Sequence, residues 1–148
     1  MARVSTYLNF VGKTEEAFLF YRDVFQTEFL ETMGVAIMKI KDAPADPNMP
    51  PMSEADLNCV MHVELPITAG HVLMGTDFLE SMGQMRSLGN NVSINLEPDT
   101  REETARLFDL LSVDGSEVMP LEDMFWGALF GTCVDRFGTR WMFNGPAA

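Results

Sequence analysis

Short runs with a two-residue apolar–polar period, separated by glycines and prolines, share this chain with two stretches of helical period. Over residues 6 to 11, Leu8 and Phe10 fall on one face and Tyr7 and Asn9 on the other, the pattern of a half-buried strand. Gly12 breaks it. Thr14-Glu15-Glu16 then opens a helix, with Thr14 as N-cap and the acids favouring the positive helix terminus. Ala17, Phe18, Tyr21, Val24 and Phe25 supply its buried stripe, and the end falls near Gln26-Thr27. Residues 29–33 and 35–40 read as strands interrupted by Gly34. Prolines at 44, 47, 50 and 51 exclude a regular helix or central strand from residues 42–56, which read as a loop or lid.

Residues 57–66 predict a strand in which Cys59, Met61, Val63 and Leu65 alternate with Asn58, Val60, His62 and Glu64. A turn at Gly70 leads into a strand over 72–77, and 78–90 reads as a connector. The order then begins again. Val92, Ile94 and Leu96 alternate with Ser93, Asn95 and Glu97, and Asp99-Thr-Arg-Glu-Glu103 starts a helix with Ala105, Phe108, Leu111 and Leu107 inward. Strands over 116–121, 128–134 and 139–143 follow. Residues 120–144 hold both tryptophans, and Gly70-His-Val-Leu-Met74 has the shape of Gly138-Thr-Arg-Trp-Met142. Each half thus reads strand, helix, strand, strand, strand. Glu15-Glu16-Ala17 overlays Glu102-Glu103-Thr104, Asn9 overlays Asn95, and Met74 overlays Met142.

The expected architecture is α+β: two βαβββ modules, 1–80 and 91–148 with a connector at 81–90, forming a curved mixed sheet around a cleft. At 148 residues one domain, or two small halves sharing a core, is the expectation. A net charge of −12 argues against a nucleic-acid partner, because phosphates need a basic surface. No apolar run reaches the ~20 residues of a membrane helix. The start of the chain lacks a signal-peptide pattern, which points to a cytoplasmic protein. Cys59 and Cys133 read as free thiols of a reducing compartment, and twelve methionines offer adaptable apolar surface. No glycine-rich loop follows a strand in the manner of a nucleotide site.

Tyr7-Leu-Asn-Phe10, Glu15-Glu-Ala17, Phe20-Tyr21, Leu73-Met74 with Asp77, Phe125-Trp-Gly127, Phe130-Gly131, Asp135-Arg-Phe-Gly138 and Trp141-Met142 stand in a distinctive order. In that order they resemble the PhnB-like branch of the vicinal oxygen chelate superfamily. That superfamily also holds glyoxalase I, ring-cleaving dioxygenases and bleomycin- and fosfomycin-resistance proteins. The resemblance spans nearly the whole chain and implies paired βαβββ modules and a homodimer, in some members with exchanged modules. It also implies where metal enzymes of the superfamily carry His, Gln or Glu ligands, on the first and last strand of each module. Those positions fall here on Tyr7 (or Thr6), Ser93, Met74 and Met142. Tyrosine, serine and a soft thioether suit Zn, Mn or Ni poorly. The inherited metal site therefore reads as replaced, with no metal and no cofactor expected.

His62 and Glu64, two residues apart on one strand face, are the candidate catalytic pair, with the carboxylate orienting the imidazole as a general base. The alternative is a histidine filling a polar niche. His71 reads as a solvated turn residue. Candidate ligand-binding residues are Tyr7, Asn9, Met74, Asp77, Ser93, Asn95, Phe125, Trp126, Arg140 and Met142. Arg140 and Asn144 share the face of Met142, Asp77 closes a strand end, and Phe125 and Trp126 either roof a pocket or pack in a core or interface. Two functions stay open: a metal-free protein that binds or sequesters an unidentified small molecule, and an enzyme of glyoxalase or dioxygenase type.

Overall fold

The alternation at the start of the chain forms β1 (Thr6–Phe10), and the first helical stripe forms α1 (Thr14–Phe25). They are followed by β2 (Ile37–Lys39), a one-turn helix α2 (Glu54–Leu57), β3 (Val60–Pro66) and β4 (Val72–Asp77). The four strands make a mixed sheet in the order β1-β4-β3-β2, with β1 parallel to β4 and the other pairs antiparallel. A second set repeats the plan: β5 (Ile94–Leu96), α3 (Arg101–Leu111), β6 (Ser116–Asp123), β7 (Leu129–Val134) and β8 (Arg140–Gly145), in the order β5-β8-β7-β6. The fold is α+β. The computed structural model describes residues 2–148, which divide into two compact units, one ending at Arg86 and the other spanning Ser87–Ala148. Among the described residues no helix is long and apolar enough to cross a membrane.

In the first unit, α1 lays Ala17, Phe18 and Tyr21, all fully buried, against the sheet face that carries Val63, Leu65 and Leu73. The approach is close: a Cβ on Gly75 would lie 2.5 Å from the Phe18 ring. Thr14 is not the N-cap that the sequence suggests. Lys13 holds that place without a side-chain bond, and Thr14 is the first helical residue, fully buried. Its hydroxyl and its N–H donate to Asp77 Oδ1 at 2.6 and 3.1 Å, while Val60 N–H donates to Asp77 Oδ2 at 2.9 Å. A carboxylate from the end of β4 thus satisfies one backbone donor that the start of α1 leaves open and another at the start of β3. It joins α1, β3 and β4 at one point.

In the second unit Thr100 caps α3, its hydroxyl accepting from Glu103 N–H at 3.1 Å. The buried positions of α3 are Thr104, Leu107, Phe108 and Leu111, so Thr104 takes the place expected for Ala105. Their spacing matches Thr14, Ala17, Phe18 and Tyr21 of α1, which pairs Thr14 with Thr104 rather than Ala17 with Thr104. The turn between β7 and β8 is built on buried Asp135. Its Oδ1 accepts from Phe137 N–H and Thr139 N–H at 2.9 and 3.0 Å, and its Oδ2 from the fully buried Trp141 indole at 2.8 Å.

Several elements differ from the sequence reading. Residues 29–33 form no strand: Leu30 makes an isolated bridge to Glu64, and the chain turns through Met33 and Gly34 at positive φ. In 42–56 the one-turn helix α2 follows the last proline, capped by Ser53 accepting from Asp56 N–H at 3.1 Å. The expected strand over 57–66 therefore starts only at Val60. Its alternation slips, because the β2–β3 register shifts and leaves Met61 45% exposed while Val60 and Val63 are both buried. A β-bulge does this by placing two residues opposite one. Val92 is 72% exposed and lies outside β5.

Replacing Asp77 or Asp135 by Ala should each lower unfolding free energy by roughly 2–4 kcal/mol, since several buried donors lose their acceptor. Urea titration checks this. A loss below about 0.5 kcal/mol would show that water or rearranged backbone replaces the carboxylate.

Candidate functional site

A sheet with one helix-covered face leaves the other face available. In the first unit Leu8, Leu73, Gly75 and Asp77 turn toward α1, so the neighbouring residues Tyr7, Asn9, Met74 and Thr76 turn away. Tyr7 pairs with Met74 and Asn9 with Thr76 across β1–β4, and Glu64 pairs with Met74 across β3–β4. His62 and Glu64, two apart on β3, share this open face. Four sequence candidates on three strands, Tyr7, His62, Glu64 and Met74, are thereby brought together.

Tyr7 Oη lies 3.1 Å from His62 Nδ1, and His62 Nε2 lies 3.1 Å from Glu64 Oε2. Arg3 Nη2 reaches the other carboxylate oxygen at 3.4 Å. An ionised carboxylate can only accept, so a neutral His62 carries its proton on Nε2 and accepts the Tyr7 hydroxyl proton at Nδ1. Burial, then the negative charge of Glu64, push the Tyr7 hydroxyl above its ordinary value, against a lowering hydrogen bond from Thr76. The bulge contributes too: Thr76 Oγ1 donates to the carbonyls of Val60 and Met61, at 3.2 and 2.9 Å. Ser5 Oγ donates to the Met74 sulfur at 3.6 Å.

In the second unit the open face carries Asn95, Met142, Asn144 and Arg140. Asn144 Nδ2 donates to Asn95 Oδ1 at 2.6 Å, and Arg140 grips both oxygens of Glu117 at 3.1 and 3.2 Å. Asn95 lies directly opposite Met142, as Tyr7 lies opposite Met74. The register therefore pairs Asn95 with Tyr7, where the sequence overlay paired it with Asn9. Ser93, exposed and ahead of β5, holds no first-strand position. The reason is the short β5, which the alternation through Val92 does not reveal.

Two other candidates also sit elsewhere. Asp77 is turned under α1 and bound to Thr14 and Val60, a structural carboxylate rather than part of the open face. Phe125 and Trp126 form an edge-to-face pair at 4.9 Å on the β6–β7 turn, 97% and 54% exposed, with Trp126 next to Phe130 at 5.8 Å. His71 is not merely solvated, since its Nε2 lies 2.9 Å from Thr6 Oγ1. Thr76 and Arg3 went unnoticed in the sequence. Thr76 was findable from its place two residues after Met74, whereas nothing in the sequence points to Arg3.

Comparison with known proteins bears on the fold. No family model matches the chain. The protein YjdN of Escherichia coli (strain K12) is 25% identical over 141 residues, 95% of this chain and 93% of that protein. Among solved structures, protein PA1353 from Pseudomonas aeruginosa superposes with a TM-score of 0.79 at 29% identity, over 99% of this chain and 98% of that one. The PhnB protein from Bacillus cereus gives a TM-score of 0.73 at 26% identity, over 97% and 99%. A glyoxylase/bleomycin resistance protein/dioxygenase domain from Frankia sp. EAN1pec shares the fold at a TM-score of 0.62 and 9% identity, over 99% and 93%. The chain thus has the glyoxalase/bleomycin-resistance fold of the vicinal oxygen chelate superfamily. Within it, the chain is PhnB-like.

Metal enzymes of the superfamily hold their ion from the paired first- and last-strand positions, which the register here places at Tyr7 with Met74 and Asn95 with Met142. A phenol, an amide and two thioethers are a poor donor set for a divalent catalytic ion, so these residues do not fit the group. Among the described residues, no three His, Cys, Asp or Glu side chains gather as a metal-holding cluster.

The thiols are poor nucleophiles. Burial, then Asp135, push Cys133 up to about 12, and burial with Asp77 and Asp56 raises Cys59. A disulfide reagent at pH 8 should therefore label the half-buried Cys59 slowly and Cys133 only in denaturant. Fast labelling of two thiols in native protein would contradict the burial of Cys133.

Proposed function

We propose that the protein binds or sequesters a small molecule without a metal ion, using the open sheet faces of its two units. One observation carries the reading: the face away from α1 presents Tyr7, Asn9, His62, Glu64, Met74 and Thr76, polar or thioether side chains that an ordinary second core layer would not contain. Arg140, Met142, Asn95 and Asn144 supply the corresponding face of the second unit. The charge of −12 favours a cationic or neutral ligand over an anionic one.

A homodimer in the cytoplasm completes the proposal. It is supported by the exposed apolar residues Val118 and Met119 on β6, which borders the second sheet, and by the aromatic pair Phe125–Trp126 beyond it. The two free cysteines suit a reducing compartment. A second reading, an enzyme acting on a small molecule at the same face, is favoured by the 3.1 Å contact that aims His62 with Glu64.

Protein purified without chelator should carry far less than one metal per chain, and added Zn, Mn, Ni or Fe should leave its melting temperature unchanged. Near-stoichiometric metal would overturn the metal-free reading. A thermal-shift screen of aromatic and cationic compounds should find ligands that stabilise by about 2–3 kcal/mol at a hundredfold excess over Kd. A broad screen that raises no melting temperature would overturn binding at this face.

A further inference from the structure

We propose that Tyr7, His62 and Glu64 form a proton relay whose outer end, the Tyr7 hydroxyl, takes an acidic proton from a bound small molecule. This rests on the reading of that face as a binding surface, and names the chemistry it would perform. The chain of contacts is continuous: 3.1 Å from Tyr7 Oη to His62 Nδ1, 3.1 Å from His62 Nε2 to Glu64 Oε2, and 3.4 Å from Glu64 Oε1 to Arg3. Accessibility orders it. The His62 and Glu64 side chains are 22% and 18% exposed while Tyr7 is 45% exposed, so a ligand meets the phenol first. The titratable and charged groups facing His62 are Tyr7 from β1 and Glu64 on β3, with Arg3 behind Glu64; β2 and β4 bring Met38, Val72, Met74 and Thr76 to this face, none of them charged.

The second unit serves as an internal comparison. Thr132 lies opposite Met142 as Glu64 lies opposite Met74, and Phe130 precedes Thr132 by two residues as His62 precedes Glu64. The three relay positions there are Asn95, Phe130 and Thr132, which hold no proton carrier. Duplicated scaffolds have thus diverged, and only the first unit keeps an imidazole between a phenol and a carboxylate.

The step balances without a metal or a co-reactant. A substrate C–H bond breaks and its proton goes to Tyr7 Oη, as the proton of Tyr7 goes to His62 Nδ1. The electron pair stays on the substrate as an enolate or equivalent anion, and the imidazolium faces Glu64. Return of a proton at another atom of the same molecule completes an isomerisation. Because burial and Glu64 keep the Tyr7 hydroxyl protonated at rest, the two transfers are coupled rather than passing through a free phenolate.

The probe is 5-nitrobenzisoxazole: a base removes its ring C–H proton, the pair becomes a nitrile bond, and the N–O bond breaks to a coloured phenolate. Tyr7→Phe, which removes one oxygen and keeps the ring, should lower kcat about a hundredfold, as should His62→Ala. Glu64→Gln should lower it about tenfold. A wild-type rate no higher than that of His62→Ala overturns the relay, and so does Tyr7→Phe at the wild-type rate while His62→Ala is slow. Nitrogen NMR of free protein should find neutral His62 protonated on Nε2; a proton on Nδ1 overturns the relay without reference to any ligand. A normal KM with unchanged kcat in Tyr7→Phe sinks the relay and leaves the binding reading in place, whereas failure of every screened compound to bind, the nitrobenzisoxazole included, sinks the binding reading and the relay with it.

Discussion

Asp77 takes three hydrogen bonds in the interior of the first unit, two from Thr14 at the start of α1 and one from Val60 at the start of β3. A buried carboxylate is tolerated only when its lone pairs are met, so these donors hold α1 and β3 to the end of β4 in one register. A strand has a two-residue period, and this single anchoring therefore decides every face of the sheet. With Asp77, Gly75 and Leu73 turned under the helix, Met74 and Thr76 must turn outward, and Tyr7, Asn9 and Glu64 follow through their pairings. The arrangement of the candidate site is a consequence of a contact on the other side of the sheet.

The second unit meets the same geometric demand by different means. Where Asp77 lies against Thr14, the corresponding Gly145 lies against Thr104, whose hydroxyl would sit 2.5 Å from a Cβ there. The Thr104 hydroxyl donates instead to the Thr100 carbonyl within its own helix, at 2.8 Å. The polar anchor has moved to Asp135, which shapes the β7–β8 turn and holds the Trp141 indole. Two solutions to helix-on-sheet packing thus support two open faces, one with a phenol–imidazole–carboxylate chain and one with an amide pair and an Arg140–Glu117 clasp. Similar backbones, unlike surfaces: fold likeness to a metal enzyme does not bring its chemistry along when the donor atoms have changed.

Much of this was legible in the residues themselves. The order strand, helix, strand, strand, strand in each half, the buried stripe of α1, the pairing of Met74 with Met142 and the shared face of His62 and Glu64 all follow from period and spacing, because periodicity reports which side chains face the core. Those readings failed where burial and period came apart. The apparent strand at 29–33 has the apolar content of a strand but makes only two isolated bridges, Leu30 to Glu64 and Thr32 to Val35, and β3 hides a bulge at Met61 that no local pattern announces.

By itself, then, the sequence determined the α+β class, the duplication and the poor metal donors at the last-strand positions, since composition, period and side-chain chemistry are local properties. Only the tertiary structure decided which residue stands opposite which. It moved the second unit's first-strand position from Ser93 to Asn95, turned Asp77 from a ligand candidate into a structural anchor, and set Tyr7 within hydrogen-bonding distance of a histidine 55 residues away. Register and cross-strand neighbours depend on long-range pairing. A bulge or a shortened strand shifts them by one residue, and one residue exchanges the two faces of a sheet.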